Sequence, residues 1–547
     1  MLRLVFDTAA LHFQTGSKSK RPAVTFHRRW LKVHLLMIRC WLWSLAVFLG
    51  TMVCSIAAPV ERVPLEQQQW FEIRTAHFNI YSCGARLKVY KLAGRLEQFC
   101  KAYSQLAGTQ SVDSPPIVVM AFPDRESMQP YLPLYQGKPS NLAAFFTHGM
   151  DENLIVLSLP ETGVPDAGMD VIFHEYTHLL FRRNDQIWPL WLKEGMAEVY
   201  STFQTSGRMA RIAHPIPHHL EALRQKPMLP LNELFAVAHD SPQYNERERQ
   251  GMFYAESWLF THFLMAGDNA SYRARFAQFT TLLHQGQLPV QAFTNALHSS
   301  LPAVQAELNR YLQRGDFPPI DLSLTTDVST PINYAARYLT PVETCFRLGD
   351  ELLRINRLDA AEARFVQAQR IAPASPLPKE GLGLLAHERK QSEVALRELK
   401  AATALGSTSF QAHYLCALEA FQATAEAKDH YVRMAKDRAA EIRGHLETSL
   451  ALMPDFGPAQ ELFGFFEMVQ GEHLVAAGQH LQRAIQLEPE NLAYRLSLAQ
   501  FQCQTENPDA ARQTLAPLLW PTADAKLRSA AAELTQEIDR RYPVKRP

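Results

Sequence analysis

The chain has 547 residues, enough for about three domains. Its 55 Lys and Arg balance 55 Asp and Glu, so it lacks the basic excess that a nucleic-acid partner selects. An apolar content of 47% is ordinary for a soluble globular protein.

The first predicted segment is a targeting signal. Cys40 to Ala58 carries no charge, Arg28, Arg29, Lys32 and Arg39 precede it, and Ser55-Ile56-Ala57 follows its apolar stretch. A basic region, a short apolar run and a small-residue site make a secretory signal, with cleavage expected after Ala57. Met37 stands immediately upstream, so 37–57 is read as the signal and 1–36 as an over-extended N-terminus. The competing reading is an uncleaved anchor, because the uncharged run is just long enough to span a bilayer. In both readings the body is exported, periplasmic or extracellular, and touches a membrane only through that anchor. Of seven cysteines, Cys40 and Cys54 fall in this segment. The remaining five, Cys83, Cys100, Cys345, Cys416 and Cys503, are an odd number and so exclude a fully paired framework within one chain. Cys83 and Cys100 are placed so that a disulfide is open to them; the other three read as buried thiols.

Residues 58–165 read as a small sheet region. Phe71 to Ser82 alternates as a strand, Arg86 to Leu106 is an amphipathic helix, and Ile117 to Phe122 is a buried strand between prolines. Leu142 to His148 and Leu154 to Leu159 form a predicted hairpin around 149–152. Residues 166–314 are helical, with proline breaks. Met228 to Phe235 is a connector and Phe253 to Phe263 an apolar helix, while His214, His218 and His219, set around two prolines, read as a loop rather than a second metal site. Residues 315–341, rich in Pro, Asp, Ser and Thr, are a predicted linker.

One helix of the 166–314 region carries His174-Glu175-Tyr176-Thr177-His178. Residues four apart share a helix face, so both imidazoles reach one metal ion, and Glu175 beside them is placed to polarise a water. The bland alternative is a helix with two incidental histidines. Catalytic zinc takes three protein ligands and keeps a fourth position open. Glu194 supplies the third, from a second helix beginning near Pro189 or Leu190 after a break at Asp185, Gln186 and Pro189. Glu198, one turn on, is placed to accept a hydrogen bond from a ligand imidazole and so orient it. Alone, Glu194 and Glu198 read equally well as a solvated helix face.

The pentapeptide followed by Trp191-Leu192-Lys193-Glu194-Gly195-Met196-Ala197 resembles the gluzincin metallopeptidases, with a slightly shorter linker between the two motifs. Trp70, Thr75, His77 and Phe78 are similar to the opening segment of the bacterial peptidase MA-like family, and the resemblance covers roughly residues 70–280. It implies an α+β zincin-like catalytic domain of a small mixed sheet and active-site helices. It implies one Zn²⁺ per chain on His174, His178 and Glu194, with Glu175 as general base. It further implies an edge strand, from the Leu154 to Leu159 hairpin, that holds an extended peptide substrate over the metal. Tyr254 has two readings, an oxyanion stabiliser as in several gluzincins or a packed core aromatic. The Gly-x-Met-Glu-Asn segment of aminopeptidase-type relatives does not occur, which favours endopeptidase action.

Beyond the linker, residues 342–520 repeat. Leu348-Gly349, Ala361, Phe365 and Ala368 recur as Leu382-Gly383, Ala395, Leu399 and Ala402, 34 positions on (348 to 382). That offset and the small-residue pattern match tetratricopeptide repeats. A third copy starts at Cys416-Ala417 with extra residues around Ala425 to Arg443; Gly464, Ala477, Leu481 and Ala484 make a fourth, and Leu498-Ala499, Ala511 and Leu515 a fifth. Residues 521–547 add a capping helix, about Thr522 to Arg541, and a tail. Such an all-α helical solenoid offers a concave face to a peptide or protein partner. The whole chain thus reads as an exported zinc metallopeptidase with a binding array. The alternative is a catalytically inactive zincin-like protein whose repeats do the work as a binding or scaffold protein.

Overall fold

The computed structural model describes residues 63–547 apart from 108–116, 136, 141, 148, 150–152, 160–167, 183–187, 239–240, 246, 268–269, 326–333, 426–432, 490, 521–522 and 544–547. The targeting segment, Cys40 and Cys54 lie outside the described residues, as do Asp185, Gln186 and the 150–152 turn of the hairpin.

The sheet region begins with β1 (Phe71–Arg74) and β2 (Phe78–Ser82), followed by α1 (Arg86–Ala107) and β3 (Ile117–Phe122). The stretch expected as one strand over Phe71 to Ser82 is therefore a hairpin. Its bend is fixed from outside: Glu97 on α1 accepts from the His77 backbone at 2.9 Å and lies 2.7 Å from His77 Nδ1, while Thr75 Oγ1 donates to it at 2.5 Å. β4 (Ala144–Thr147) and β5 (Leu154–Ser158) complete the run. β2, β3 and β5 are parallel neighbours, and β1 and β4 flank them antiparallel. The edge strands are β4, the outer strand of the predicted hairpin, and Ala336–Tyr338 at the other end; the Leu154 to Leu159 strand is interior.

β3 is buried at every position because the sheet is covered on both faces. Alternation sends Ile117, Val119 and Ala121 into one core with Phe99 of α1. It sends Val118, Met120 and Phe122 into a second core with Phe346 and Phe365, from the start of the repeat array.

The metal-motif helix α2 (Met169–Arg182) packs on the first face, followed by α3 (Leu190–Ser201), the ribbon β6 (Gln204–Ser206) and β7 (Met209–Ile212), and α4 (Pro217–Gln225). Then come α5 (Leu231–Ala236), α6 (Arg247–Ala266), α7 (Ala270–His284), α8 (Pro289–Leu297) and α9 (Leu301–Arg314). Cys83 and Cys100 do not bond to each other; the Cys100 thiol lies 3.0 Å from the Tyr176 hydroxyl.

Within the expected linker, 315–341, the described residues carry two strands. β8 (Ile320–Ser323) pairs with β7, and β9 (Ala336–Tyr338) pairs with β1. Buried Glu72 pins the second, taking Arg337 Nε at 2.9 Å on one oxygen and Tyr81 Oη at 3.0 Å on the other. Burial of one sheet face by the array demands this fixed entry.

The array consists of helix pairs α10 (Pro341–Arg354) and α11 (Leu358–Ile371), α12 (Pro376–Glu388) and α13 (Ser392–Ala404), α14 (Phe410–Ala425) and α15 (Lys436–Leu452), α16 (Gly457–Gln470) and α17 (Leu474–Leu487), α18 (Leu492–Gln504) and α19 (Pro508–Leu515), closed by α20 (Ala525–Arg541). Glycines at the predicted small positions let the pairs close: Gly349 lies on the Phe365 ring, Gly383 on Leu399 and Gly464 on Leu481. The far end, at Leu492, Pro517 and Trp520, returns to Trp188, Leu190 and Phe235 around a cleft of about 280 Å³. No helix among the described residues is long and apolar enough to cross a membrane.

Candidate metal centre

Helix α2 is amphipathic in the sense its sequence requires. Ile172, Phe173 and Tyr176 are buried, with Phe173 stacked on Phe99 at a centroid distance of 4.5 Å, which turns His174 and His178 to the opposite side. Helix α3 starts directly after Pro189 and buries Trp191, Leu192, Glu194 and Ala197. Gly195 is what lets α3 lie close to α6: a Cβ there would run into the Ser257 carbonyl and the Thr261 hydroxyl. The Glu-Gly pair of the second motif is thus one device, a ligand and the contact that brings it inward.

The three expected ligands converge. His174 Nε2 and His178 Nε2 are 3.1 Å apart, and Glu194 Oε2 lies 3.5 Å from the first and 3.2 Å from the second. Ligand atoms about 2.0–2.1 Å from a tetrahedral ion would be roughly 3.3 Å from one another. Glu194 Oε2 is buried, and its charged partners among the described residues are these two rings. A buried carboxylate oxygen facing two ring nitrogens in such a triangle can hold a cation, and the donor set, two imidazoles and a carboxylate, would suit zinc. Among the described residues one other cluster has comparable spacing, Glu467, Glu472 and His473, but Arg443 already pairs with both of its carboxylates.

The supporting groups fix the orientation. Glu198 Oε1 lies 3.3 Å from His174 Nδ1, which leaves Nε2 to face the ligand triangle. Burial works against the charge on Glu194 and Glu198, yet hydrogen bonds to the histidines outweigh it and hold both carboxyls down at about 2. Burial likewise opposes the charge on His174, and hydrogen bonds to the two glutamates override it, raising its pKa to about 10. The cluster therefore favours positive charge strongly at its centre.

Two contributors were not legible in the sequence. Tyr244 donates to Glu194 Oε1 at 3.3 Å and shares a hydrogen bond with Tyr254. Tyr254, the residue singled out from the sequence, has its ring 6.0 Å from that of His174 and stacks on Tyr244 at 6.3 Å. It lines the site, but the tyrosine touching a ligand is Tyr244. His219, expected in a loop, is on α4, because Pro217 opens that helix instead of breaking one. It is buried, with Nε2 3.1 Å from Glu198 Oε2. Glu175, between the two histidines, is half-buried.

The tetratricopeptide-repeat family model matches residues 468–534. Similar solved structures include YrrB, a TPR protein with an unusual peptide-binding site (15% identity, 35% of this chain and 91% of that one, TM-score 0.28). They also include TTC0263, a thermophilic TPR protein of Thermus thermophilus (20% identity, 36% and 99%, TM-score 0.28) and PilW, a type IV pilus biogenesis factor (16%, 37% and 92%, TM-score 0.29). No curated protein matches the chain. The C-terminal part of this chain is a tetratricopeptide-repeat region.

Proposed function

We propose that the protein is an exported zinc-dependent metallopeptidase whose repeat array binds a protein or peptide partner. The observation that carries this reading is the triangle of His174 Nε2, His178 Nε2 and Glu194 Oε2, with sides of 3.1, 3.2 and 3.5 Å, in which three protein ligands meet among the described residues. A structural zinc site closes with four ligands, whereas a hydrolytic one keeps a position for water and substrate. Zinc held there supplies Lewis-acid chemistry, polarising a carbonyl and making water acidic near neutral pH. Glu175 takes the proton of the attacking water and passes it to the leaving amine. Glu198 holds the ring of His174, and Tyr254, its ring 6.0 Å from that of His174, donates to charge developing on the carbonyl oxygen.

A second reading is favoured by the repeat match itself: a scaffold or binding protein whose metal-bearing half does not turn over substrate. Glu175→Gln separates the two in protein beginning at Ala58. Elemental analysis should find about one zinc per chain in both wild type and variant, and none in His174→Ala. Turnover of a fluorogenic peptide library should fall in Glu175→Gln by roughly 10²–10⁴-fold. Equal turnover in the two proteins would remove Glu175 from its role. A wild type that takes up no zinc would leave only the binding reading.

A further inference from the structure

Glu198 is a carboxylate held between two imidazoles. Oε1 lies 3.3 Å from His174 Nδ1 and Oε2 lies 3.1 Å from His219 Nε2, with the three side chains between 5% and 14% exposed. We propose that His219 is a positioning residue of the metal centre, acting through Glu198 to set the ring angle of His174; this rests on the metal reading of His174, His178 and Glu194.

Three observations carry it. The terminal torsion of a glutamate is broad and roughly two-fold, so a partner on one oxygen leaves the carboxylate plane free to swing. A partner on each oxygen fixes that plane, and with it the line from Glu198 to His174. Among the described residues, the ion pairs of the largely buried Glu198 carboxylate are also with these two imidazoles, one on each oxygen. Finally, His219 Nε2 is buried, makes no hydrogen bond to any other group among the described residues and lies 3.1 Å from this carboxylate, while the Trp258 ring packs beside the imidazole at 6.3 Å.

The backbone is built to aim it. Leaving α3, the chain runs through the β6–β7 ribbon and returns. Ala213, in the left-handed region at φ 61°, donates its N–H to Val199 O on α3 at 3.0 Å, and His214 N donates to Thr202 Oγ1 at 3.0 Å. Pro217 then starts α4, and the third residue of that helix faces back across α3 to Glu198. A bulky core filler would need no such double anchor on the helix that carries Glu194.

The test reads metal binding without turnover. Zinc affinity by competition with a chromophoric chelator, and the visible spectrum of the cobalt(II)-loaded protein, are compared at one pH for wild type, Glu198→Gln, His219→Leu, His219→Gln and the Glu198→Gln/His219→Leu double variant. Groups that orient a metal ligand typically cost about 10–100-fold in affinity when lost. His219→Leu should lose roughly tenfold and shift the cobalt bands, whereas His219→Gln, whose amide still donates to Glu198, should stay within about threefold. The double variant should bind no more weakly than Glu198→Gln alone, because both changes cut the same chain. Where His219→Leu does not fold, His219→Asn, too short to reach Glu198, takes its place, with the thermal melt as the check. Additive losses, or unchanged affinity and spectrum without His219, would overturn the proposal. A wild type that binds neither zinc nor cobalt would instead bring down the metal reading and this inference with it.

Discussion

The half with the candidate metal centre, here the metal-bearing half of the proposal, and the repeat array are held together in opposite ways. In the array, contacts run between neighbouring helices: Gly349 under Phe365, Gly383 under Leu399, Gly464 under Leu481, each pair within one repeat. In the metal-bearing half, groups from α2, α3, α4 and the segment before α6 meet at one place, and the groups that meet are polar and buried. A repeat stack sums many local terms, so one weak contact lowers stability without moving a distant geometry. A convergent site has no such tolerance, because each ligand is placed by contacts far away in sequence. The difference predicts where change is tolerated: an array contact can weaken locally, while the site needs each packing contact behind it.

The sharpest way to break this comparison is Phe365→Ala. The ring fills the space left by two glycines, Gly349 and Gly381, and is fully buried. Deleting it should cost about 3–5 kcal/mol, measured by chemical denaturation. Zinc affinity should stay within about twofold, since Phe365 packs on the face of β3 opposite the one that carries α2. If affinity falls along with stability, the array and the metal-bearing half form one cooperative unit and the contrast is lost.

Gly195→Ala sharpens the same contrast from the other side. An added methyl meets the Ser257 carbonyl and the Thr261 hydroxyl on α6, and backbone cannot step aside as a side-chain tip can. The expected stability loss is about 1–3 kcal/mol, less than for Phe365→Ala. Zinc affinity should nevertheless fall well beyond twofold, because the methyl pushes α3, and with it Glu194, away from the two histidines. A variant with reduced stability and wild-type zinc affinity would show that Glu194 is placed by something other than the α3–α6 contact.

The same contrast governs what could be read from the sequence. The repeats were legible because their packing is local: the Leu-Gly pair at 348 and 382 and the small residues following it are both cause and signature of helix pairing. The two histidines of α2 were legible because the helix period alone brings them to one face, and Glu194 because its glycine neighbour travels with it. Where the deciding contact is remote, the reading failed. Nothing within Phe71 to Ser82 shows that Glu97 will bend it at Thr75 to His77. The segment at 315–341 has the composition of a linker, yet β9 is recruited by Glu72 on β1. His219 follows two prolines that look like breakers, and only the α3 anchor at Ala213 reveals that Pro217 opens a helix aimed at Glu198. Tyr244 reaches Glu194 across 50 positions, from a stretch without any motif.

The smallest expected effect is a slope rather than a loss, and it lies in the polar seam behind the site. Glu256 on α6 is fully buried; one oxygen accepts from the Leu229 backbone at 2.8 Å and the other has no partner. Burial pushes its carboxyl up to about 8 from an ordinary 4.5. The folded protein thus keeps a proton that the unfolded chain releases. Below about pH 4.5 both states are protonated and this group makes stability independent of pH. Between about 4.5 and 8 the unfolded state binds fewer protons, so stability falls as pH rises, by at most roughly 1.4 kcal/mol per pH unit, and above about 8 the loss is complete. Glu256→Gln keeps an acceptor for Leu229 and has no proton to lose. Denaturation midpoints of wild type and variant should coincide near pH 5 and diverge in favour of the variant towards pH 8. Parallel pH profiles would show that Glu256 ionises in place, and that the convergent half tolerates buried charge away from its metal ligands as readily as at them.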